Sequence, residues 1–563
     1  MPQPSALQTP LWDATLLRQR ILAAMDLDGH SPTLGCCDRR HWAWKFTDYP
    51  DLSLQYAAHG LALTLDPDDA MHRRALAAVI DFWNNNLSPA GSADQAFPGE
   101  RSAGPTLYAL NGLIQAVELR GDLLPAELVA AFRVGVARSM AFCRREPEDY
   151  GFIANHKALY AHTYLRAARL LDDPALREAA VTEVEALAAD ITEGWFHEYD
   201  TADPAYQTQT LHHLLACAGL LEDERPRALA REGFDAFVAH CVFPDGSFAG
   251  PFGGRAAETF YPFAAFALAD ESPAARAAVD LLYRRHAGAR LVPWHALDFA
   301  NAIRLGTNYM LARPLAENVL AGAADNGSEA LPCFTPGVRQ WPATGLVAFA
   351  DATKYGIVNT RRGGCYKMVC KATGTVMEDT GAVLVTDRAR FTSALYDTAT
   401  ESEITADDEG DGAFLSLRLR APMRRLVHRR LTSSLLVGLR LAKATLFRWP
   451  WAVRHIKRLM VRLLIRRRPA PAYRHERVLS VSVDAVRVVD TIRTPGGEAV
   501  RTGRLASPTA RLVPFHMASA GYHVPVKRPA TLEGDHALGT DAEKPYCVTR
   551  VLFPGADPTF PGA

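Results

Sequence analysis

The sequence predicts a multidomain fold, helical first and β-rich after: an (α/α)6 toroid followed by an antiparallel β-sandwich. Three observations carry that expectation. Apolar helical runs recur about every fifty residues between Leu52 and Arg313. A more charged helix separates each run from the next, and from about Cys365 the pattern turns to short β-branched segments between Gly, Pro and Asp turns. The 563 residues are enough for several domains. They divide into a toroid over 1–313, a turn-rich connector over 314–364 and a sandwich over 365–563.

The N-terminal "MPQPSALQTPLWDATLLRQRIL" lacks the basic start, apolar core and small-residue cleavage site of a secretory signal. It reads as a short leader into an amphipathic helix, and no export by that route is expected. Inner helices are expected at "LSLQYAAHGLAL" (52), "PTLYALNGLIQAV" (105), "NHKALYAHTYLRAARL" (155), "AYQTQTLHHLLACAGL" (205), "AAETFYPFAAFALA" (256) and "HALDFANAIRLGTNYML" (295). Charged partners such as "ALREAAVTEVEALAADI" make each unit a helical hairpin. The connector carries "FTPGVRQWPATG". Beyond it, "CYKMVCKATGTVM", "GAVLVTD", "RVLSVSVDAVRVVDTI" and "YCVTRVLF" read as strands.

Lys plus Arg (62) balance Asp plus Glu (62), but residues 413–475 hold 17 basic and no acidic residues, so the remainder is net acidic by 17. Nine scattered cysteines show neither zinc-finger nor disulfide-framework spacing, which fits a reducing compartment. A basic amphipathic insertion at about 418–475 interrupts the strands. Within it, Leu, Ile, Phe and Trp interleave with Arg over 424–469, and the longest uncharged run, 431–439, is far short of the ~20 residues a spanning helix requires. An amphipathic helix pair lying in an anionic membrane surface is expected, which places the chain at the inner, cytoplasmic face of a membrane. The apolar content is excessive for a nucleic-acid arm, and no nucleic-acid partner is expected; docking onto an acidic partner, the chain's own acidic toroid included, is the alternative that stays open.

Parallel inner helices gather their preceding loops at one pole. Those loops are rich in aromatic and polar residues: "HWAWKFTDY", "QAFPGERS", "DYGFIANH", "GWFHEYDTADPAYQTQ" and "DGSFAGPFGGRAAETFY". Aromatic faces stack on sugar rings while fixed polar groups take hydroxyls and charges. Trp42, Trp44 and Lys45, then Glu100 and Arg101, then Trp195 and Tyr199, and finally Glu258 and Tyr261 are the candidates for such contacts, with His212 as a cleft wall. Asn155 and Tyr206, 51 residues apart, each open an inner helix and should be neighbours.

An Asn-His pair at an inner-helix start, followed one hairpin later by the Tyr of "DPAYQ", resembles the heparinase II/III-like polysaccharide lyases and their alginate-lyase relatives. The resemblance implies acid/base chemistry by Tyr206 and His156, with Asn155 and Arg255 neutralising a uronate carboxylate, and it brings His516 of the sandwich towards the cleft. The residue after the Tyr is frequently His in that family; here it is Gln207. β-Elimination removes the weakly acidic C5 proton of a uronic acid, so the carboxylate must be neutralised first. A Tyr acidified by nearby cations then takes the proton or protonates the leaving oxygen, with His156 as its partner. No metal or other cofactor is required. The expected substrate is a uronic-acid-containing polysaccharide, linked to exopolysaccharide synthesis or turnover. Two alternatives stay open: an inverting glycoside hydrolase using two carboxylates among Glu100, Glu198, Asp200, Asp203 and Glu258, and a non-catalytic glycan-binding or assembly factor.

Overall fold

Asp13, Asp69, Asp173, Asp203 and Asp298 each precede a helix and accept a hydrogen bond from its free N–H groups, the capping role of a short carboxylate. A computed structural model describes residues 6–146, 148, 151–255, 257–322, 330–386, 389–406, 414–426, 432–461, 471–482, 485–494, 504–506, 536–537 and 547–552. Its first thirteen α-helices are α1 Ala14–Ala24, α2 Arg39–Trp42, α3 Ala57–Thr64, α4 Ala70–Asn86, α5 Ala103–Arg120, α6 Ala126–Arg145, α7 Ala154–Leu171, α8 Pro174–Asp190, α9 Pro204–Leu221, α10 Arg225–Ala236, α11 Phe263–Ala267, α12 Pro273–Val279 and α13 Phe299–Ala321.

Each odd-numbered helix from α3 packs on the next, and α13 returns to α3, with α1 lying against both. A helix buried all round belongs inside such a ring and one with a single apolar face outside it. Accordingly α5 buries 15 of its 18 residues, whereas α10 buries four of 12.

Two antiparallel sheets follow. The first is a meander of β1 Gly337–Trp341, β2 Leu346–Ala350, β3 Lys354–Asn359, β4 Cys365–Cys370 and β5 Val376–Asp379. The second holds β6 Val383–Val385, β7 Arg390–Thr392, β8 Glu401–Ala406, β9 Leu415–Arg425, β10 Pro471–Val481, β11 Val486–Arg493, β12 Arg504–Ala506, β13 His536–Ala537 and β14 Cys547–Leu552. Side chains alternate faces along a strand. Leu346, Ala348 and Ala350 join the helical core, while Val347 and Phe349 join Leu417, Leu419 and Val488 of the second sheet.

The structure differs from the sequence reading in four places. The segment 314–364 carries β1, β2 and β3. Because β2 is buried on both faces, it lacks the alternation that marks a half-exposed strand. Helix α13 runs to Ala321 and holds Pro314 in its interior, although a proline commonly ends a helix at the preceding residue. The fifth inner helix begins at Phe263 rather than 256 and is five residues long. Residues 418–425 and 471–475 belong to β9 and β10, which pair from Leu415↔Val481 to Arg424↔Pro471. The insertion therefore leaves and re-enters one strand pair, and it carries α14 Ser433–Ala444 and α15 Pro450–Val461.

Candidate active site

The loops before α7 and α9 are joined by short backbone pairing. Ile153 bridges Glu198, the Ala154 N–H donates to the His197 carbonyl at 3.0 Å, and the Tyr199 N–H to the Phe152 carbonyl at 2.8 Å. Lys45, Arg101, Tyr199 and Ala249, in four of the five pole loops, adopt left-handed backbone (φ 54°, 50°, 62° and 56°). Strained backbone of this kind persists where the surroundings over-determine it. Gly254 shows how tightly: a Cβ there would lie 2.1 Å from Thr201 Cγ2.

That pairing brings Asn155 to Glu198. The Asn155 backbone N–H and Nδ2 both donate to Glu198 Oε1, at 2.9 and 2.7 Å, and Asn155 Oδ1 accepts from the Tyr108 hydroxyl at 3.0 Å. Arg255 Nη2 lies 3.0 Å from Glu198 Oε2. Its guanidinium stands 4.3 Å from the Tyr206 ring centroid and 5.1 Å from that of Tyr199. Burial is the largest influence and opposes the Arg255 charge, but Glu198, Tyr206, Tyr199 and Asp203 together outweigh it and hold the pKa above the ordinary value. Asp203 caps α9 through the Ala205 and Tyr206 N–H groups and also accepts the Arg255 N–H at 2.8 Å; burial pushes its carboxyl up to about 6. Burial likewise pushes the Tyr199 phenol up to about 12. Asn155, Glu198, Arg255 and Tyr206 thus form one chain of contacts.

In front of this chain is a cavity of about 160 Å³ lined by Gln95, Gly104, Pro105, Tyr108, His156, Ala205, Tyr206, Gln209, Thr259, Tyr261, Asn301 and Arg304. His156 Nδ1 lies 2.8 Å from Glu148 Oε2. A carboxylate only accepts, so in the neutral imidazole the proton sits on Nδ1 and the lone pair on Nε2. Among the described residues nothing hydrogen-bonds the Tyr206 hydroxyl. Arg304 is half-buried, with its guanidinium 4.1 Å from the Tyr108 ring centroid and its Nε without a hydrogen-bond partner.

Of the residues singled out in the sequence, His156, Tyr206 and Tyr261 line the cavity, while Asn155 and Arg255 lie in the layer behind it, engaged with Glu198. Tyr199 flanks Arg255. Elsewhere the placements differ from a cleft lining. Trp195 is fully buried in the helical core against the His197 ring. Trp42 is tied by Nε1 to the Ala24 carbonyl at 2.9 Å. Trp44 is 63% exposed, stacked on Phe46, and Lys45 beside it is exposed too. Glu100 is buried and accepts the Gln95 and Ala96 N–H groups, while the Arg101 N–H donates to Asp94. Glu258 is buried and outside the lining. Trp42, Glu100 and Trp195 thus brace their loops, which aromatic and charged loop residues do as readily as they bind sugar. Gln207 is buried: its Nε2 donates to the Gly194 and Gly233 carbonyls at 2.7 and 3.0 Å and its Oε1 accepts the Phe196 N–H. It fastens the fourth pole loop and α10 to α9. His516 lies outside the described residues.

Sequence reasoning missed Glu148, Tyr108 and Arg304. A lone arginine inside the apolar inner helix "ANAIRLGTNYML" was the available signal for Arg304.

His162, His212 and His213 bring ring nitrogens within 4.8 Å of one another, close enough to share a metal ion. The hydrogen bonds argue against that use. Arg166 Nε donates to His162 Nε2 at 2.8 Å, and His162 Nδ1 lies 3.0 Å from His213 Nδ1 and 3.3 Å from Asn111 Nδ2, so both ring nitrogens of His162 are already engaged within the protein. His212 is a buried part of this cluster rather than a cleft wall.

No family model matches the chain, and no curated protein matches it in sequence. Solved structures do resemble it. A xanthan lyase of Paenibacillus aligns with TM-score 0.52 and 11% identity, over 89% of this chain and 46% of the lyase. The Streptomyces coelicolor A3 chondroitin AC lyase, solved in complex with chondroitin sulphate, aligns with TM-score 0.51 and 12% identity, over 89% of this chain and 68% of that one. The chain spans less than half the length of the xanthan lyase. At such identities the likeness is one of fold: the helical toroid followed by β-sheets is a polysaccharide lyase architecture.

Proposed function

We propose that this chain, an (α/α)6 toroid with a β-sandwich, is a polysaccharide lyase that cleaves a uronic-acid-containing polymer by β-elimination. One observation carries the reading: a Glu148-braced His156, the hydroxyl of Tyr206 and the guanidinium of Arg304 line the same cavity.

The chemistry assigns each a task. Arg304 neutralises the uronate carboxylate and so stabilises the charge that grows when the C5 proton leaves. His156 Nε2 takes that proton. As the C4–C5 double bond forms and the C4–O bond breaks, Tyr206 gives its proton to the departing oxygen. Asn155 and Arg255, which the family resemblance made carboxylate ligands, are positioning residues in this scheme: through Glu198 they fix the helix start of His156 and the ring of Tyr206. The cavity is smaller than the ~300–1,000 Å³ typical of ligand sites, so it accommodates the reacting sugar while the polymer runs across the rim. None of Glu100, Glu198, Asp200, Asp203 or Glu258 lines it, which disfavours hydrolysis by two carboxylates across a water. A place in making or turning over an acidic exopolysaccharide at the inner face of a membrane is consistent with this scheme.

The test is ultraviolet absorbance of the new C4–C5 double bond when the purified chain meets alginate, glucuronan, heparan sulfate or hyaluronan, with Tyr206→Phe alongside. Absorbance rising for the wild type alone supports elimination. New reducing ends without absorbance indicate a hydrolase, and neither signal on any polymer favours the glycan-binding alternative.

A further inference from the structure

Helix α14 stands in water on nearly all sides. Leu435, Leu436, Val437 and Leu441 are 50–62% exposed, and every other side chain described from Thr432 to Arg440 is exposed as well. After it come Trp449 and Trp451, 52% and 57% exposed with their rings stacked at 6.5 Å. A 12-residue helix presenting this much apolar surface to solvent is marginal alone, and such a patch marks an interaction surface.

The insertion is also fixed in place. Arg440 and Lys443 reach Asp48 at 2.5 and 2.6 Å, and the buried Phe447 packs on Phe97 with ring centroids 5.3 Å apart. Phe97 belongs to the pole loop whose Gln95 lines the cavity. Trp44 and Phe46, exposed and stacked at 6.0 Å, lie just before Asp48.

We infer that the insertion carrying α14 and α15 docks the protein on an anionic lipid surface and sets the cavity mouth beside it. The chemistry selects lipid over the other occupants. Residues 413–475 carry 17 basic and no acidic side chains, which complements anionic headgroups. Leucines enter the acyl boundary, and paired tryptophans suit the headgroup level. Among the described residues no helix is long and apolar enough to cross a membrane, so the insertion lies in the surface plane. Lipid docking goes beyond the lyase reading, and its test does not depend on catalysis.

The experiment is flotation of the full chain with vesicles of phosphatidylcholine alone or mixed with phosphatidylglycerol. Wild type should float with the anionic vesicles about tenfold more than with neutral ones, and less so in high salt. Leu436→Asp with Leu441→Asp, and separately Trp449→Ser with Trp451→Ser, should each cut flotation about tenfold while the circular dichroism spectrum and Tm stay those of wild type. The inference is overturned if wild type stays down with both vesicles, or if both double variants float as wild type does. It is equally overturned if the leucine variant dissolves a dimer, or the basic insertion retains nucleic acid, without any flotation.

Discussion

His156 Nδ1 lies 2.8 Å from the Glu148 carboxylate. The contact fixes the neutral imidazole tautomer with its lone pair at Nε2, and in the proposed mechanism it stabilises the cation formed when His156 takes a proton. Glu148→Gln can either accept from Nδ1 or donate to it, so it no longer fixes the tautomer and it removes the charge that stabilises the imidazolium. The expected outcome is a fall in kcat of about 10²-fold with KM little changed, read from the rate of unsaturated product. A parallel loss of Tm would assign Glu148 a role in folding its loop instead.

Arg255 and Arg304 separate structure from chemistry. Arg255→Gln leaves the buried Glu198 carboxylate without its cation, a loss of about 3–5 kcal/mol by analogy with broken buried pairs, measurable by denaturant unfolding. Arg304→Gln gives up a cation–π contact of about 1 kcal/mol but, in the proposed mechanism, removes the charge facing the reacting carboxylate. Its expected signature is a rate about 10²- to 10³-fold lower in a protein of nearly wild-type stability. Equal destabilisation by both variants would count against this division.

Much of this architecture is legible in the sequence because apolar helix starts spaced about fifty residues apart can be counted. Asn155-His156 and Tyr206 stood out because they open inner helices at the same pole. Glu148 did not, since its partner lies eight residues away across a loop and no spacing rule predicts that contact. Arg304 and Tyr108 lie within helices read as core, where a search confined to loops passes over them. Strands β2 and β3 are hidden by burial on both faces: "LVAFA" carries no period-2 signal when the helical core and the second sheet each take alternate side chains.

Acid should destabilise the fold through its buried histidines. Burial pulls His59 and His212 down to about 3, and His162 and His213 well below the ordinary value, with Arg166 adding to the shift. In the unfolded chain these groups bind protons near pH ~6.5. Below that pH the unfolded state holds more protons, and stability falls as pH falls towards 3. Asp51 and Asp203 act in the opposite sense. Burial raises both to about 6, so their contribution is present below the unfolded value of about 3.9 and lost as pH rises through 6. Between those limits four histidines oppose two carboxylates, and Tm should drop from pH 6.5 to 4. His212→Gln should flatten that slope, and a Tm flat across the range would refute the assignment.

The first sheet holds the loop that carries Arg255. Asn359 Nδ2 donates to the Phe252 carbonyl at 2.7 Å, Arg362 to that of Gly253, and Lys367 Nζ to that of Ala249 at 2.9 Å. All three acceptors belong to the loop that delivers Arg255, whose guanidinium lies against the Tyr206 ring. Asn359→Leu removes one buried donor and leaves the Phe252 carbonyl unpaired, at a cost of about 1–3 kcal/mol. If the sheet positions the catalytic phenol, the rate should also fall, by about tenfold, because small displacements of a reacting group are costly. Assays well below Tm distinguish the two effects. A wild-type rate at low temperature would make the latch a matter of stability alone, whereas a rate deficit persisting there would make the β-sheet part of how Tyr206 is held.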